Sequence, residues 1–203
     1  MHLAILGGTG RTGVLLVRRA LDAGHTLRVL ARDPKKVGIE HPHLTVVTGD
    51  AAVPGDVARL VEGVDAVVSA LGPVKAHLDA CSRATQSVLS TGVRRYVLTS
   101  GAGLDVPGDE KDLMGRIISK MIRFFTPAIV IDKEKELALL QQSSTEWTLV
   151  RPPRLVDGAA TGRARIDVKN GPGSKVTRAD LADFLLVCVT EKRHVREAPF
   201  IAA

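Results

Sequence analysis

Gly7, Gly10 and Gly13, with Thr9, Arg11 and Thr12 set among them, are the residues whose types and spacing most directly imply a chemistry. They follow a short apolar run, residues 3–6, and lead into apolar residues at helical spacing. A strand, a glycine turn and a helix in succession make a phosphate cradle. Gly7 lets the strand turn sharply, Gly10 lets backbone approach a pyrophosphate, and Gly13 lets the helix pack close on the strand. Arg11 and Thr12 open the helix, where free N–H groups and the helix dipole favour an anion. The glycines fit two registers, G-x-x-G-x-x-G from Gly7 and G-x-G-x-x-G from Gly8. Either match alone also occurs in purely structural turns. Its place between strand and helix assigns this one to nucleotide binding.

A second chemical position follows the next strand, residues 26–31. Dinucleotide sites select their cofactor there: an acid bonds a ribose 2′-hydroxyl, whereas an arginine accommodates a 2′-phosphate. Arg32 holds this place, with Lys35 and Lys36 after it, and a guanidinium is shaped to clasp a phosphate. The expectation is NADP, with NADPH preferred over NADH. Asp33 is the residue that would favour NAD, and a solvated turn charge is the plain alternative for Arg32.

These positions need elements to hold them. Residues 14–23 form an apolar-faced helix that Gly24 stops. Strands are expected at 44–48, 66–70 and 95–99, with helices around 57–61 and at 76–90 between them. Strand and helix alternating with short joints predict an α/β fold, a doubly wound parallel sheet with helices on both faces, in a single domain over residues 1–203. Carboxyl ends of such strands face the ligand crevice. Asp50 at one strand end could therefore reach an adenine amino group, or instead cap the following helix. Ala70, Leu71 and Gly72 should run along the cofactor. Arg151-Pro152-Pro153-Arg154 ends a sixth strand, 147–150, on the same side.

The later chain breaks the alternation. Residues 104–111 are polar and contain glycine, and 112–125 read as an amphipathic helix with Leu113, Ile117, Met121 and Phe125 opposite Arg116, Lys120 and Arg123. The plain expectation is that its apolar face packs on the body of the domain. The alternatives for 104–127 are a flap over the substrate, a subunit contact or a membrane-surface helix. A helix is expected at 129–142, a short strand or hairpin arm at 163–168, a helix at 178–190 capped by Thr177 with Asp180, and a last strand at 199–202.

The 203 residues suffice for one sizeable core, with 45% hydrophobic and 25% charged residues in the ordinary globular range. The net charge of +6 is spread along the chain, and aromatics amount to only 3%, which argues against nucleic acid. It suits a cofactor or substrate rich in phosphate or carboxylate. Cys81 and Cys188 lack metal spacing and fall in apolar helical contexts, as free buried thiols do. His41 and His43 have no third ligand nearby in sequence, so no metal site is expected. Without a signal-peptide pattern or a spanning apolar run, a cytoplasmic protein with no stable membrane insertion is expected.

With these pieces assembled, the chain resembles the atypical short-chain dehydrogenase/reductase group with an NAD(P)H-binding Rossmann domain, and within it the biliverdin-IXβ reductase/flavin reductase type. The likeness rests on Gly7-Gly8-Thr9-Gly10-Arg11-Thr12-Gly13, Ala31-Arg32-Asp33, Gly49-Asp50, Leu71-Gly72, Thr99-Ser100, Arg151-Pro152-Pro153 and the stretch from Val176 to Ala182, in family order through nearly the whole chain. The resemblance implies that Asp50 and Ala51 lie by the adenine, Leu71 and Gly72 by the ribose, Ser100 beside the nicotinamide, and Pro152, Pro153 and Arg154 at the nicotinamide end. The chain departs from ordinary short-chain dehydrogenases in lacking their Tyr-x-x-x-Lys pair: its single tyrosine, Tyr96, lies within the fifth strand. Alcohol–ketone chemistry by a tyrosine acid is thereby disfavoured, as is an isomerase or epimerase of the extended family. Where members of the reductase type carry histidines, this chain has Lys133 or its neighbours and Arg154.

Two functions fit. One is an NADPH-dependent reductase of a conjugated small-molecule acceptor such as a flavin or quinone, working as a monomer or small homo-oligomer. Ser100 would bond the carboxamide or the acceptor, and Lys133 or Arg154 would attract an anionic acceptor. A solvated helix charge is the plainer expectation for Lys133. The alternative function is a non-catalytic NADP(H)-sensing regulator of the NmrA-like kind, with 112–125 as its partner surface.

Overall fold

Alternating side chains on the first strand already dictate two cores. In a computed structural model describing residues 1–73 and 77–203, β1 (His2–Leu6) sends Leu3 and Ile5 to one face and Ala4 and Leu6 to the other. Only a strand buried on both faces reads as such a continuous apolar run. β2 (Thr26–Ala31), β3 (Leu44–Thr48), β4 (Ala66–Ser69), β5 (Arg95–Thr99) and β6 (Glu146–Val150) join it in one parallel sheet of order β3-β2-β1-β4-β5-β6. This is the doubly wound Rossmann order, with the strand direction of progress reversing between β1 and β4.

Helices α1 (Arg11–Asp22) and α6 (Arg178–Thr190) cover the Leu3 face, where Leu16, Val17, Leu181 and Leu185 are buried. Helices α2 (Pro54–Val61), α3 (Ala80–Leu89) and α5 (Pro127–Gln142) cover the other face with Val57, Leu60, Val88, Leu137 and Leu140. The Thr177 hydroxyl accepts from the Asp180 N–H at 2.9 Å, so the expected cap of α6 is present. Helix 76–90 is shorter than expected: α3 begins at Ala80, and the Ala76 end of that expectation lies outside the described residues.

Four short strands complete the chain. β7 (Arg154–Val156) pairs parallel with β9 (Lys175–Thr177), and β8 (Arg165–Asp167) pairs antiparallel with β10 (Phe200–Ala202). The β7–β9 pair has no sequence signature, because each strand is too short to show a period.

The segment between β5 and α5 overturns one expectation. α4 (Leu113–Phe125) forms, with the Asp112 carboxylate accepting from Gly115 N–H at 2.7 Å as its cap. Its apolar face does not pack on the domain. Within α4 only Ser119 is buried, while Leu113, Phe124 and Phe125 are 76%, 80% and 71% exposed. The residues turned inward are Gly115, Ser119 and Ile122, the last lying so close over Gly103 that no side-chain carbon would fit there without a shift.

Candidate functional site

The glycine turn is built by close approach. Gly7 has φ +75°, and a side-chain carbon on it would lie 2.9 Å from the backbone of Ala70 and Leu71. At Gly13 the same carbon would fall 2.0 Å from the Gly7 carbonyl oxygen, far inside contact distance. The turn is closed by the Gly10 N–H donating to Gly7 O at 2.9 Å. No side chain caps α1 and no acid sits in its first turn, so its first N–H groups have no side-chain acceptor. Arg11, at that end, pairs with Asp157 at 3.6 Å across the exposed rim.

Two cavities open at the carboxyl edge of the sheet. The smaller, of about 290 Å³, lies over the ends of β1 to β4. Gly7, Thr9, Arg32, Asp50, Ala51 and Leu71 all line it, which brings together six residues singled out from the sequence. Asp33 does not line it. Its carboxylate accepts from Lys35 N–H at 3.1 Å and caps a short turn of 3-10 helix instead. Arg32 is exposed and makes no ion pair among the described residues. Asp50 is not the helix cap considered for it. That place belongs to Val53, while the Asp50 carboxylate accepts from Ala52 N–H at 2.9 Å. Two residues missed from the sequence, His77 and Arg83, also line this cavity. His77 lies in the β4–α3 connection and Arg83 in the first turn of α3, and no local motif marks either.

The larger cavity, about 730 Å³, lies beyond β5 and β6 and falls within the range of small-molecule sites. Ser100, Lys133, Pro152, Pro153 and Arg154 line it, together with Ile129 and Phe200. Gly72 sits between the two cavities in sequence, its neighbours Leu71 and Pro73 lining one each. The Ser100 N–H donates to Val150 O at 2.7 Å, but its hydroxyl is buried without a partner among the described residues. A buried hydroxyl is normally satisfied by a partner, and this one lines the cavity. Arg154 is exposed at the wall and makes no ion pair among the described residues.

Lys133 is a correction. It is buried, not solvated, and donates to Glu136 Oε2 at 2.8 Å and to Thr99 O at 3.1 Å. Burial works to lower its pKa, but Glu136 and then the Cys81 thiol outweigh that, so the ammonium is held above its ordinary range. Glu136 in turn accepts from Thr85, whose hydroxyl meets the Tyr96 hydroxyl at 3.2 Å. The Asp132 carboxylate accepts from the N–H groups of Cys81 and Ser82, at 3.2 and 3.0 Å, and anchors the start of α3. Both cysteines are buried and free; burial pushes the Cys81 thiol up to about 11. Lys133 also stands four residues after Ile129, and both line the cavity.

The root of the 104–127 excursion is pinned by two buried cations that sequence reading missed. Arg151, fully buried, holds both carboxylate oxygens of Asp109 at 2.7 and 2.8 Å and stacks 3.7 Å from the centre of the Phe200 ring. Lys111 donates to Asp105, Ser119 and the carbonyls of Ala102 and Leu104, all within 3.1 Å. Arg151 is therefore a clamp beneath the site, not a ligand to it. Among the described residues there is no cluster of candidate metal ligands and no helix long and apolar enough to cross a membrane.

Comparison with known proteins places this geometry. A family model described as NAD(P)H-binding matches residues 7–192. Among solved structures the fold is similar to the anaerobillin reductase ChuY from Escherichia coli O157:H7, with TM-score 0.82 and 20% identity over 99% of this chain and 96% of that one. It is similar also to a short-chain dehydrogenase/reductase from Veillonella parvula in complex with NADP, with TM-score 0.79 and 17% identity over 100% and 94%. A (4-alkanoyl-5-oxo-2,5-dihydrofuran-3-yl)methyl phosphate reductase from Streptomyces griseus is 28% identical over 74% of this chain and 46% of its own length. The match spans less than half the length of that relative.

Proposed function

Because this chain belongs to the NAD(P)H-binding family, we propose that it is an NADPH-dependent reductase of a conjugated ring acceptor such as a flavin or quinone. The cradle at Gly7 and Gly13, the uncapped start of α1 and the orphan Ser100 hydroxyl fit a dinucleotide laid across the β1–β4 reversal. In that arrangement the amino end of α1 holds the pyrophosphate and Arg32 the 2′-phosphate. Asp50 and Ala51 border the adenine. Ser100, with Pro152 and Pro153, borders the nicotinamide. When bound, the cofactor supplies hydride to the acceptor.

The observation that carries the reading is the character of the larger cavity. Its walls include Leu104, Met114, Ile118, Ile129, Pro152 and Phe200, and its titratable groups are Lys111, Asp112, Lys133 and Arg154. Lys111 and Lys133 are buried in hydrogen bonds to protein partners, and Asp112 caps α4. No uncommitted side-chain acid faces the cavity among the described residues. A ketone whose alkoxide must be protonated is poorly served there. A ring acceptor that delocalises the incoming electron pair takes its proton from water, so hydride plus that proton gives the reduced ring and the oxidised dinucleotide. Arg154 offers its guanidinium to an anionic group on the acceptor, and Ser100 donates or accepts one hydrogen bond.

The test mixes the protein with NADPH and a panel of flavins, quinones and dichlorophenolindophenol, following the nicotinamide absorbance. Oxidation proportional to enzyme for at least one acceptor is expected. Tight NADPH binding with no oxidation of any acceptor would replace this reading by the cofactor-sensing one.

A further inference from the structure

The helix that failed to pack carries the strongest unexplained surface. Along α4, Leu113, Met114, Ile117, Met121, Phe124 and Phe125 are all between 44% and 80% exposed. At 100° per residue they form one continuous face, which a water-exposed helix has no reason to keep. The same helix carries Arg116, Lys120 and Arg123 and no acid. Lys120 borders the apolar face, whereas Arg116 donates to Lys111 O at 3.0 Å and Arg123 pairs with Glu134 of α5, both towards the body. Two phenylalanines end the helix, their rings edge to face at 5.3 Å.

We propose that α4 is an interfacial anchor that lies flat on an anionic lipid bilayer, with its apolar side chains in the headgroup–acyl boundary and Lys120 against the lipid phosphates. Such a helix combines a wide apolar face with basic residues, and anionic lipid supplies the counter-charge. A second copy docked through the same helix brings Lys120 no counter-charge, because α4 contains no acid. The root of the segment is suited to the task. Arg151–Asp109 and the Lys111 bonds fix where the helix leaves the body, so the face is presented rather than left to collapse.

The cavity gives the docking a purpose. Met114 and Ile118 belong to both the helix face and the cavity wall. Contact with a bilayer therefore brings the cavity against the lipid, and, resting on the reductase reading above, narrows the acceptor to a lipid-soluble ring of the quinone class. Hydride and one proton from water convert that quinone to its quinol, with the dinucleotide oxidised by two electrons.

The test is flotation of the whole protein with phosphatidylglycerol-containing vesicles and with pure phosphatidylcholine vesicles, without cofactor. Binding to the anionic vesicles, weakened by high salt, is expected. The Phe124→Ser/Phe125→Ser variant, altered at two exposed rings outside the cavity, should lower that binding roughly tenfold or more. Lys120→Glu should lower it by a smaller factor, roughly fivefold. Failure to float, flotation insensitive to these changes, or a dimer in sedimentation that the double variant dissociates would overturn the anchor. In turnover, the double variant should slow reduction of a vesicle-embedded long-chain quinone and leave a water-soluble quinone unaffected. Equal rates on both would overturn the lipid-facing cavity. Absence of any quinone reduction alongside normal flotation would fault the reductase reading and leave the anchor standing.

Discussion

The two cavities are made from different material. The smaller is backbone and short joints: glycines too close to their neighbours to carry a side chain, an uncapped helix start, and strand ends a few residues from the next helix. The larger is side chains on excursions, with walls from 101–115, α4, α5 and the turn after β6. Steric necessity holds the first, so almost any change there is felt. The second is held by a few buried ion pairs, so its root is rigid while its lining remains free to change with the acceptor. A common cofactor and a variable acceptor require that division.

Gly13→Ala should have the largest effect. The added carbon meets the Gly7 carbonyl at 2.0 Å, backbone against backbone, with no flexible atom to yield. A loss of about 3 kcal/mol in urea unfolding, with cofactor binding abolished, is expected. A loss below about 1 kcal/mol would show that the cradle is looser than its geometry.

Asp109→Ala attacks the opposite region at its root. Arg151 is fully buried, and removing its carboxylate leaves a charge with only carbonyl partners. About 3 kcal/mol of destabilisation follows, while NADPH affinity of the surviving folded protein stays near wild type. Equal loss of affinity and stability would mean that the two cavities are not separately built.

Arg32→Ala should weaken NADPH by about 2 kcal/mol, roughly thirtyfold, and NADH by less than about threefold, as read by calorimetry. Parallel losses would remove Arg32 from 2′-phosphate recognition. The smallest effect is assigned to Ser100→Ala, about tenfold slower turnover with NADPH affinity little changed. An unchanged rate would return the serine to a structural role.

Legibility followed the same division. Arg32, Gly7 and Asp50 could be placed from sequence because each sits one or two residues past a strand, and the strands declare themselves by apolar runs. Ser100 and the two prolines were reached by the same logic on β5 and β6. Arg83 and His77 were not, since nothing local distinguishes a helix arginine that meets a crevice from one that meets water. Lys133 was misjudged for a related reason. A charged run in a helix, Asp132-Lys133-Glu134-Lys135-Glu136, looks solvated, yet Asp132, Lys133 and Glu136 are buried, while Glu134 and Lys135 are not and Glu134 pairs with Arg123 of α4. The amphipathic pattern of α4 predicts a helix, which forms, and a core contact, which does not, because the pattern records that a face is apolar and is silent about what covers it.

The residues alone determined the parallel sheet, its glycine cradle and the cation at the tip of β2, for these depend on neighbours within a few positions and on period. Only the tertiary structure decided that Lys133 is neutralised by Glu136, that Arg151 clamps Asp109, and that α4 turns its apolar face outward. Each of those outcomes joins segments tens of residues apart or depends on space left by other elements. Long-range packing chooses among partners that local pattern leaves equivalent.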